Sequence, residues 1–220
     1  MTSPRVIAID GAAGSGKSTL ARGLARALGL PYVNTGVMYR ALTLAALDAG
    51  IDPDDGAALA DLTRGLRFGL AAAGPTPELE VEGSPPSPEL ESARVEAHVS
   101  QVARHPEVRS LMRDEQRRLG LPSAVVEGRD IGSVVFPDAP VKLFVTATPS
   151  KRVERRADER GARGSQIAEA LHERDARDAQ VNPLAPAEGA TIVDTSLRSV
   201  EETLKVALAI VRAQAPEWFS

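Results

Sequence analysis

The feature that most constrains this chain is the stretch "IAIDGAAGSGKSTLARGLARALG" near its start. It passes from a short apolar run, Val6–Ile9, through three glycines to a helix-forming tail. Gly11, four further residues, Gly16, Lys17 and Ser18 fit the pattern G-x-x-x-x-G-K-[ST] of a phosphate-binding loop. Glycines let successive backbone N–H groups point at one anion, and the following helix adds its positive dipole end. The sequence therefore predicts nucleotide binding between the first strand and the first helix.

Lys17 and Ser18, near the end of this loop, are expected to bind different parts of the ligand. Lys17 is expected to reach the outer phosphates. Ser18 offers a hydroxyl to Mg²⁺, which keeps most of its waters and the substrate oxygens as its other ligands. A strand-to-helix turn without a ligand is the alternative, but the strand before and the helix after both match a nucleotide site. The residues expected to hold the donor phosphates are Gly11, Ala12, Ala13, Gly14, Ser15, Gly16, Lys17, Ser18 and Thr19.

Composition narrows the class of protein. The chain has 220 residues, of which 43% are hydrophobic, so a single domain with small inserted lobes can bury a substantial core. It contains no cysteine, which excludes disulfides and thiolate metal sites. A formal charge of −4 argues against a general polyanion binder, and the sequence shows neither a signal pattern nor a membrane-spanning run. We therefore expect a cytoplasmic protein that binds neither nucleic acid nor membranes.

Strand patterns alternate with long helical patterns along the chain, which is typical of a parallel sheet covered by helices. The apolar runs are continuous, as expected of strands buried on both faces. They cover Arg5–Ile9, Ala124–Glu127, Val141–Thr146 and Thr191–Asp194. The sequence therefore predicts an α/β fold.

Helix ends carry recognisable signals. Gly29 follows the first helical pattern and is expected to cap it in the left-handed conformation. Thr148 precedes Pro149, which suits the first position of a helix, and Ser199 with Glu202 forms a capping box before "VEETLKVALAIVRAQ". These signals predict where three helices begin or end.

The segment "RFGLAAAGPTPELEVEGSPPSPELES" differs from the rest, with five prolines between positions 75 and 88. A flexible linker is one interpretation. The alternating stretches "LRFGLAA" and "LEVEG" favour a small insert that contains a hairpin. "ARVEAHVSQVA" then predicts a helix, and Pro106 starts another that carries Arg109, Arg113, Arg117 and Arg118.

A second charged segment, Lys151 to Asp178, holds eight positive and seven negative side chains. Many opposite charges lie three or four residues apart, so a solvated, salt-bridged helical surface is one interpretation. Gly161 and Gly164 interrupt the pattern. Two helices with a glycine-rich joint and an arginine-lined surface would also form a lid over phosphates.

Five segments in order resemble the bacterial cytidylate kinases, members of the nucleoside monophosphate kinase group. They are "IDGAAGSGKST", "NTGVMYRA", "VSQVARHPEVR", "VVEGRDIGSVVFPDAPVKLFVTA" and "ERDARD". The phosphate-binding loop alone is shared by many functions, whereas "EGRDIGSVVFPDAPVK" is far more specific. The resemblance runs nearly end to end and implies a P-loop kinase fold over residues 1–220, with an acceptor-binding lobe over 30–104 and an arginine-rich lid over 150–165.

The implied activity is ATP- and Mg²⁺-dependent phosphoryl transfer to CMP and dCMP by a monomer. A kinase for UMP, AMP or a hydroxyl compound is the alternative within enzymes. A nucleotide-switched interaction protein is the alternative from another class. For GTP that alternative usually needs a guanine-reading N-K-x-D element, which the sequence lacks.

The resemblance also implies roles for particular residues. Arginine suits such a site because its planar fork binds phosphate oxygens in pairs and keeps its charge. In the acceptor site the matching residues are Thr35, Tyr39, Arg40, Ser100, Arg109, Arg129, Asp130, Arg174 and Asp178. Arg152, Arg155 and Arg156 match lid residues that approach the ATP phosphates, and Lys17, Arg129 and Arg156 are the expected catalytic residues.

Several assignments have simpler alternatives. Arg40 and Arg109 could be exposed helix arginines, and the charges of "GRD" could pair with each other after a buried strand. Asp194 ends an apolar strand like a metal-holding acid but is interpreted as a turn or helix-start residue. The three histidines lack metal-ligand spacing and are assigned no chemistry. Some family members carry a further arginine where this chain reads Ala179, Gln180 and Val181, which leaves open the number of arginines around the transferring phosphate.

Overall fold

The fold is described from a computed structural model that covers residues 4–71, 76–160, 168–169, 171–173, 175–176 and 184–219. Within these residues a seven-stranded sheet has the order β3-β4-β2-β5-β1-β6-β7. The strands are β1 (Arg5–Gly11), β2 (Tyr32–Asn34), β3 (Phe68–Ala71), β4 (Glu78–Val81), β5 (Ser123–Gly128), β6 (Val141–Thr146) and β7 (Thr191–Asp194).

The centre of the sheet is parallel. β1 lies between β5 and β6, with Ile7 opposite Val125 on one side and Val141 on the other. β2 pairs with β5 and β7 with β6, both in parallel. The parallel sheet predicted from the sequence is confirmed. β2 was not predicted, because three residues are too few to show a periodic pattern.

Helices cover both faces of this sheet and form an apolar core on each. They are α1 (Lys17–Leu28), α2 (Thr35–Asp48), α3 (Gly56–Gly65), α4 (Ala93–Ala103), α5 (Pro106–Gly120), α6 (Pro149–Arg160) and α7 (Val200–Gln214). On one face Val6 and Ala8 of β1 belong to a core that includes Met112 of α5. On the other face Ile7 and Ile9 of the same strand pack in a core with α1 and α7. The alternating side chains of β1 therefore serve both cores, which explains its continuous apolar sequence.

The predicted helix ends are confirmed. Gly29 caps α1 in the left-handed conformation, with φ of 64°, and its N–H donates to Ala25 O. The Thr148 hydroxyl accepts from the Lys151 N–H at 3.4 Å in the first turn of α6. Ser199 and Glu202 form the predicted capping box at the start of α7.

The predicted hairpin is confirmed as well. β3 and β4 pair antiparallel, with Phe68 opposite Val81. β4 also joins the main sheet, because Tyr32 of β2 pairs with Glu78. The insert therefore lies within the predicted acceptor lobe and extends the main sheet at one edge. The predicted glycine joint of the lid, Gly161 and Gly164, lies outside the described residues.

The segments the structure describes include no helix long and apolar enough to cross a lipid bilayer.

Candidate active site

The phosphate-binding loop is shaped by its glycines. β1 ends at Gly11, where an added Cβ would lie only 2.3 Å from the carbonyl oxygen of Val145 on the adjacent strand β6. Gly16 adopts the left-handed conformation, with φ of 87°, immediately before α1 begins at Lys17. The Lys17 side chain lies over the loop, and its ammonium group donates to Ala12 O at 3.4 Å. The loop therefore has the strand-turn-helix geometry that an anion cradle requires.

A buried carboxylate lies beneath the start of α1. Glu127, at the end of β5, is 1% exposed and accepts a hydrogen bond from the Ser18 hydroxyl at 3.0 Å. Its other carboxylate oxygen accepts from the Tyr32 hydroxyl. Burial, together with the nearby Glu127 charge, raises the pKa of Tyr32, so this hydroxyl stays a donor at neutral pH. Asn34 donates in turn to the Tyr32 hydroxyl at 3.2 Å. The network orients an acid directly behind the residue expected to bind Mg²⁺.

Glu127 lies within "VVEGRDIGSVVFPDAPVKLFVTA" but was not predicted as a site residue. Its position at the carboxyl end of a buried parallel strand was the available signal, because ligand sites of open α/β sheets lie at that edge. Asp194 occupies the corresponding end of β7, and its carboxylate accepts hydrogen bonds from the Ser196 N–H at 2.8 Å and hydroxyl at 2.6 Å. The turn interpretation of Asp194 is therefore confirmed.

Two arginines of the predicted acceptor site are buried or half-buried and hold carboxylates. Arg40 on α2 is 8% exposed and pairs with Glu91 at 2.8 Å. Arg109 on α5 pairs with Asp130 at 2.6 Å. Arg40 and Arg109 are therefore not simply exposed helix arginines, which was the alternative to an acceptor role. Each guanidinium therefore already contacts an anionic group within the cleft.

Arg129 and Asp130 follow β5 directly and lie next to the phosphate-binding loop. Arg129 donates to the carbonyl oxygen of Gly11 at 3.3 Å. The turn that follows is tied to the end of β1, because the Asp10 carboxylate accepts from the N–H groups of Ile131 at 2.7 Å and Gly132 at 2.8 Å. The predicted acceptor segment and the predicted donor loop are therefore joined by direct hydrogen bonds.

A cleft of about 570 Å³ brings together many of the predicted residues of both substrates. On the donor side it is lined by Ala13, Gly14, Gly16, Lys17, Ser18, Thr19 and Arg156. On the acceptor side it is lined by Thr35, Tyr39, Arg40, Ser100, Arg109, Arg129 and Asp130.

Thr35 donates to the Glu127 backbone carbonyl at 2.8 Å, and burial raises the pKa of Tyr39 to about 12. Tyr39 is therefore a neutral hydroxyl at physiological pH.

The lid arginines are placed differently from one another. Arg156 lines the main cleft. Arg155 donates to the Thr195 hydroxyl at 2.8 Å and backbone carbonyl at 2.9 Å, and so links α6 to the end of β7. Arg152 pairs with Asp175. Arg174 and Asp178, predicted on the acceptor side, lie outside the described residues.

A second pocket of about 280 Å³ lies across the phosphate-binding loop from the main cleft. Its walls come from the loop, from α6 and from the segment that joins β7 to α7. They include Gly14, Thr19, Arg155, Asp158, Thr195, Arg198 and Val200. Thr195 and Arg198 were not predicted as site residues, because no motif marks them and only the order of the strands brings β7 near the loop.

A phosphate-binding loop on a parallel sheet, with an arginine-lined cleft on one side and a second pocket on the other, defines the class as a P-loop phosphotransferase for small molecules. A solved structure of TT1252 from Thermus thermophilus has the same fold, with a TM-score of 0.50 and 23% identity over 97% of this chain and 99% of that one.

Comparison with known proteins identifies the family. The family model described as cytidylate kinase matches residues 7–213. The cytidylate kinase of Deinococcus deserti is 44% identical over 199 residues, which cover 90% of this chain and 95% of that protein. The cytidylate kinase of Mycobacterium leprae is 42% identical over 219 residues, which cover 96% of each. The chain belongs to the cytidylate kinase family.

Proposed function

We propose that this chain transfers the γ-phosphoryl group of MgATP to CMP and dCMP, and so forms CDP or dCDP together with ADP. The observation that supports this proposal most strongly is the single cleft that Lys17 and Ser18 share with Arg40, Arg109 and Arg129. A nucleotide kinase must hold two polyanions end to end, offset their repulsion and exclude water. A loop of N–H groups facing a wall of arginines suits that task.

On the donor side, the loop amides and Lys17 bind the ATP phosphates. The neighbouring Ser18 hydroxyl and Glu127 carboxylate are oxygen ligands of the kind Mg²⁺ prefers and would hold the ion beside the loop. When bound, Mg²⁺ neutralises charge on the outer phosphates. The ATP base and ribose occupy the second pocket, between Arg155 and the segment after β7.

On the acceptor side, the phosphate of CMP replaces carboxylates as the partner of arginine. Arg40 exchanges Glu91 for the phosphate. Arg109 binds the phosphate as well, while Asp130, which lies near the acceptor base and phosphate by the family resemblance, holds that guanidinium in place. Tyr39 and Ser100 line the pocket beside them. From the family resemblance alone, we also propose that Arg174 and Asp178 contact the acceptor sugar, with Asp178 accepting a hydrogen bond from a ribose hydroxyl.

The reaction needs little covalent chemistry from the protein. An oxygen of the CMP phosphate forms a bond to the γ-phosphorus while the bond from that phosphorus to the bridging oxygen breaks, and ADP leaves. Lys17 follows the charge that develops on the β-phosphate, and Arg129 and Arg156 stabilise the transferring group. We expect residues near 60–90 and 150–165 to move when both substrates bind, and this closure would exclude water from the reaction.

An acceptor screen tests this function. The purified chain is assayed with MgATP and each of CMP, dCMP, UMP, AMP and GMP, with ADP formation as the readout. CMP and dCMP are expected to give the highest kcat/KM. If AMP or UMP exceeds CMP, the substrate assignment is wrong; if ATP is hydrolysed equally with every acceptor and with none, the kinase assignment itself fails.

A further inference from the structure

Asp10 is a buried carboxylate for which the proposed reaction has no use. It lies at the end of β1, is 4% exposed, and neither substrate is expected to touch it. Both of its oxygens accept short hydrogen bonds from consecutive N–H groups, those of Ile131 and Gly132. These N–H groups begin a single π-helical turn, Ile131–Val135, that directly follows the acceptor residues Arg129 and Asp130.

The start of this turn is unusual because its own flanking aspartate does not cap it. An aspartate at that position normally accepts from the first free N–H groups of a helix. Among the residues that the structure describes, Asp130 makes no such capping hydrogen bond, and its carboxylate points to Arg109 at 2.6 Å. Asp10, from a distant part of the chain, supplies the cap in its place.

Holding this charge in the core has a free-energy cost. Burial raises the pKa of the Asp10 carboxyl to about 6, an effect to which the nearby Asp130 charge adds and which the two backbone N–H donors and Lys17 partly oppose. The Lys142 side chain packs against Gly132, and its ammonium group donates to the carbonyl oxygen of Glu188. With a pKa of about 6 the Asp10 carboxyl is mostly ionised at neutral pH, and the two N–H groups offset part of the cost of burying its charge.

We infer that Asp10 is a positioning residue: by capping the turn at Ile131 and Gly132 it leaves the Asp130 carboxylate directed into the acceptor site beside Arg109. The inference rests on the proposed acceptor role of Arg109 and Asp130. Without the Asp10 carboxylate, at least one N–H group of the turn loses its acceptor. The Asp130 carboxylate then replaces Asp10 as the acceptor for this N–H group. To do so its side chain rotates towards the turn, and the carboxylate leaves the acceptor pocket.

The test compares Asp10→Asn, Asp130→Asn and the double variant with wild type. The two N–H groups bond different oxygens of Asp10, and an asparagine side chain puts an NH₂ donor in the place of one of these acceptors. Asp10→Asn is expected to raise KM for CMP about tenfold while KM for ATP changes less than about twofold. In the Asp130→Asn background the same substitution should change KM for CMP less than about twofold, because both substitutions act through one carboxylate.

Ile7→Val is the matched control, since it removes a buried methyl group from the same strand without touching the turn. It should leave both KM values unchanged. If Asp10→Asn fails to fold, Asp10→Glu replaces it, because glutamate keeps both oxygens but displaces them by one methylene; KM for CMP should again rise alone.

Three results would overturn the inference. Equal rises in both KM values would show that Asp10 only supports the fold. Additive effects in the double variant would show that Asp10 does not act through Asp130. An Asp130→Asn variant with unchanged KM for CMP would refute the acceptor role of Asp130 itself, and with it this inference, whereas a failure confined to Asp10→Asn leaves the proposed function intact.

Discussion

The donor loop and the acceptor wall of the cleft are built in different ways. The donor loop is one continuous segment, residues 11–19, whose shape comes from its own backbone and glycines. The acceptor wall is assembled from side chains on α2, on α5 and after β5, and Arg40 and Arg109 each hold a carboxylate. The loop is therefore shaped before any ligand binds, whereas in the proposed function Arg40 must exchange Glu91 for the acceptor phosphate. Four predictions examine this difference, beginning with the largest effect.

Replacing the loop lysine should abolish nearly all turnover. Lys17→Met is expected to lower kcat about a thousandfold, because a neutral side chain cannot stabilise the negative charge that develops on the leaving β-phosphate. Circular dichroism should show an unchanged fold. Lys205→Met is the control, since Lys205 lies on α7 and forms a surface ion pair with Glu201 at 2.9 Å. Near-normal turnover in a folded Lys17→Met protein would show that the loop lysine is not catalytic.

Asp10 joins the two regions, and its ionisation should appear in stability. Its folded-state pKa of about 6 lies above its ordinary value of 3.8, so its contribution to stability is present below pH 3.8 and is lost as pH rises through 6. The shift corresponds to about 3 kcal/mol. Urea unfolding from pH 4 to 8 should show wild type losing about that much relative to Asp10→Asn, with a plateau above pH 6. A pH-independent difference would contradict the raised pKa.

Replacing an arginine of the proposed acceptor site should change KM for one substrate only. Arg40→Met is expected to raise KM for CMP about thirtyfold, the effect of about 2 kcal/mol for a lost charge-assisted hydrogen bond. KM for ATP should stay within about twofold, because the loop keeps its shape without the acceptor wall. The exposed helix residue Arg26 provides the control substitution Arg26→Met. A parallel rise in both KM values would show that the two regions do not act separately.

The smallest effect concerns the carboxylate that Arg40 holds. Glu91→Gln removes the competing charge, and we expect KM for CMP to fall about threefold, in the range of a solvent-exposed ion pair. Glu89→Gln is the matched control, because Glu89 lies two residues away and pairs with Arg94 at 2.8 Å instead. A KM for CMP that stays constant or rises would show that Glu91 supports Arg40 rather than competing for it.

Local signals predicted much of the fold. The apolar runs of β1, β5, β6 and β7, the caps at Gly29 and Ser199, and the hairpin at 68–81 were all readable because each depends on residues close together in sequence. β2 escaped prediction because its three residues become a strand only by pairing with β4 and β5. The proposed acceptor residues were predicted only through a family resemblance, since no spacing rule joins positions 40, 109 and 129.

The sequence by itself determined the phosphate-binding loop, because the pattern from Gly11 to Ser18 encodes both the backbone turn and its charge. Only the tertiary structure decided which acids meet that loop. The strand order sets β1 between β5 and β6, and so brings Glu127 to Ser18 and Asp10 to the turn after Asp130. These contacts join residues more than a hundred positions apart, at 109 and 121 residues of separation. Sheet pairing, rather than any local preference of the chain, creates that proximity.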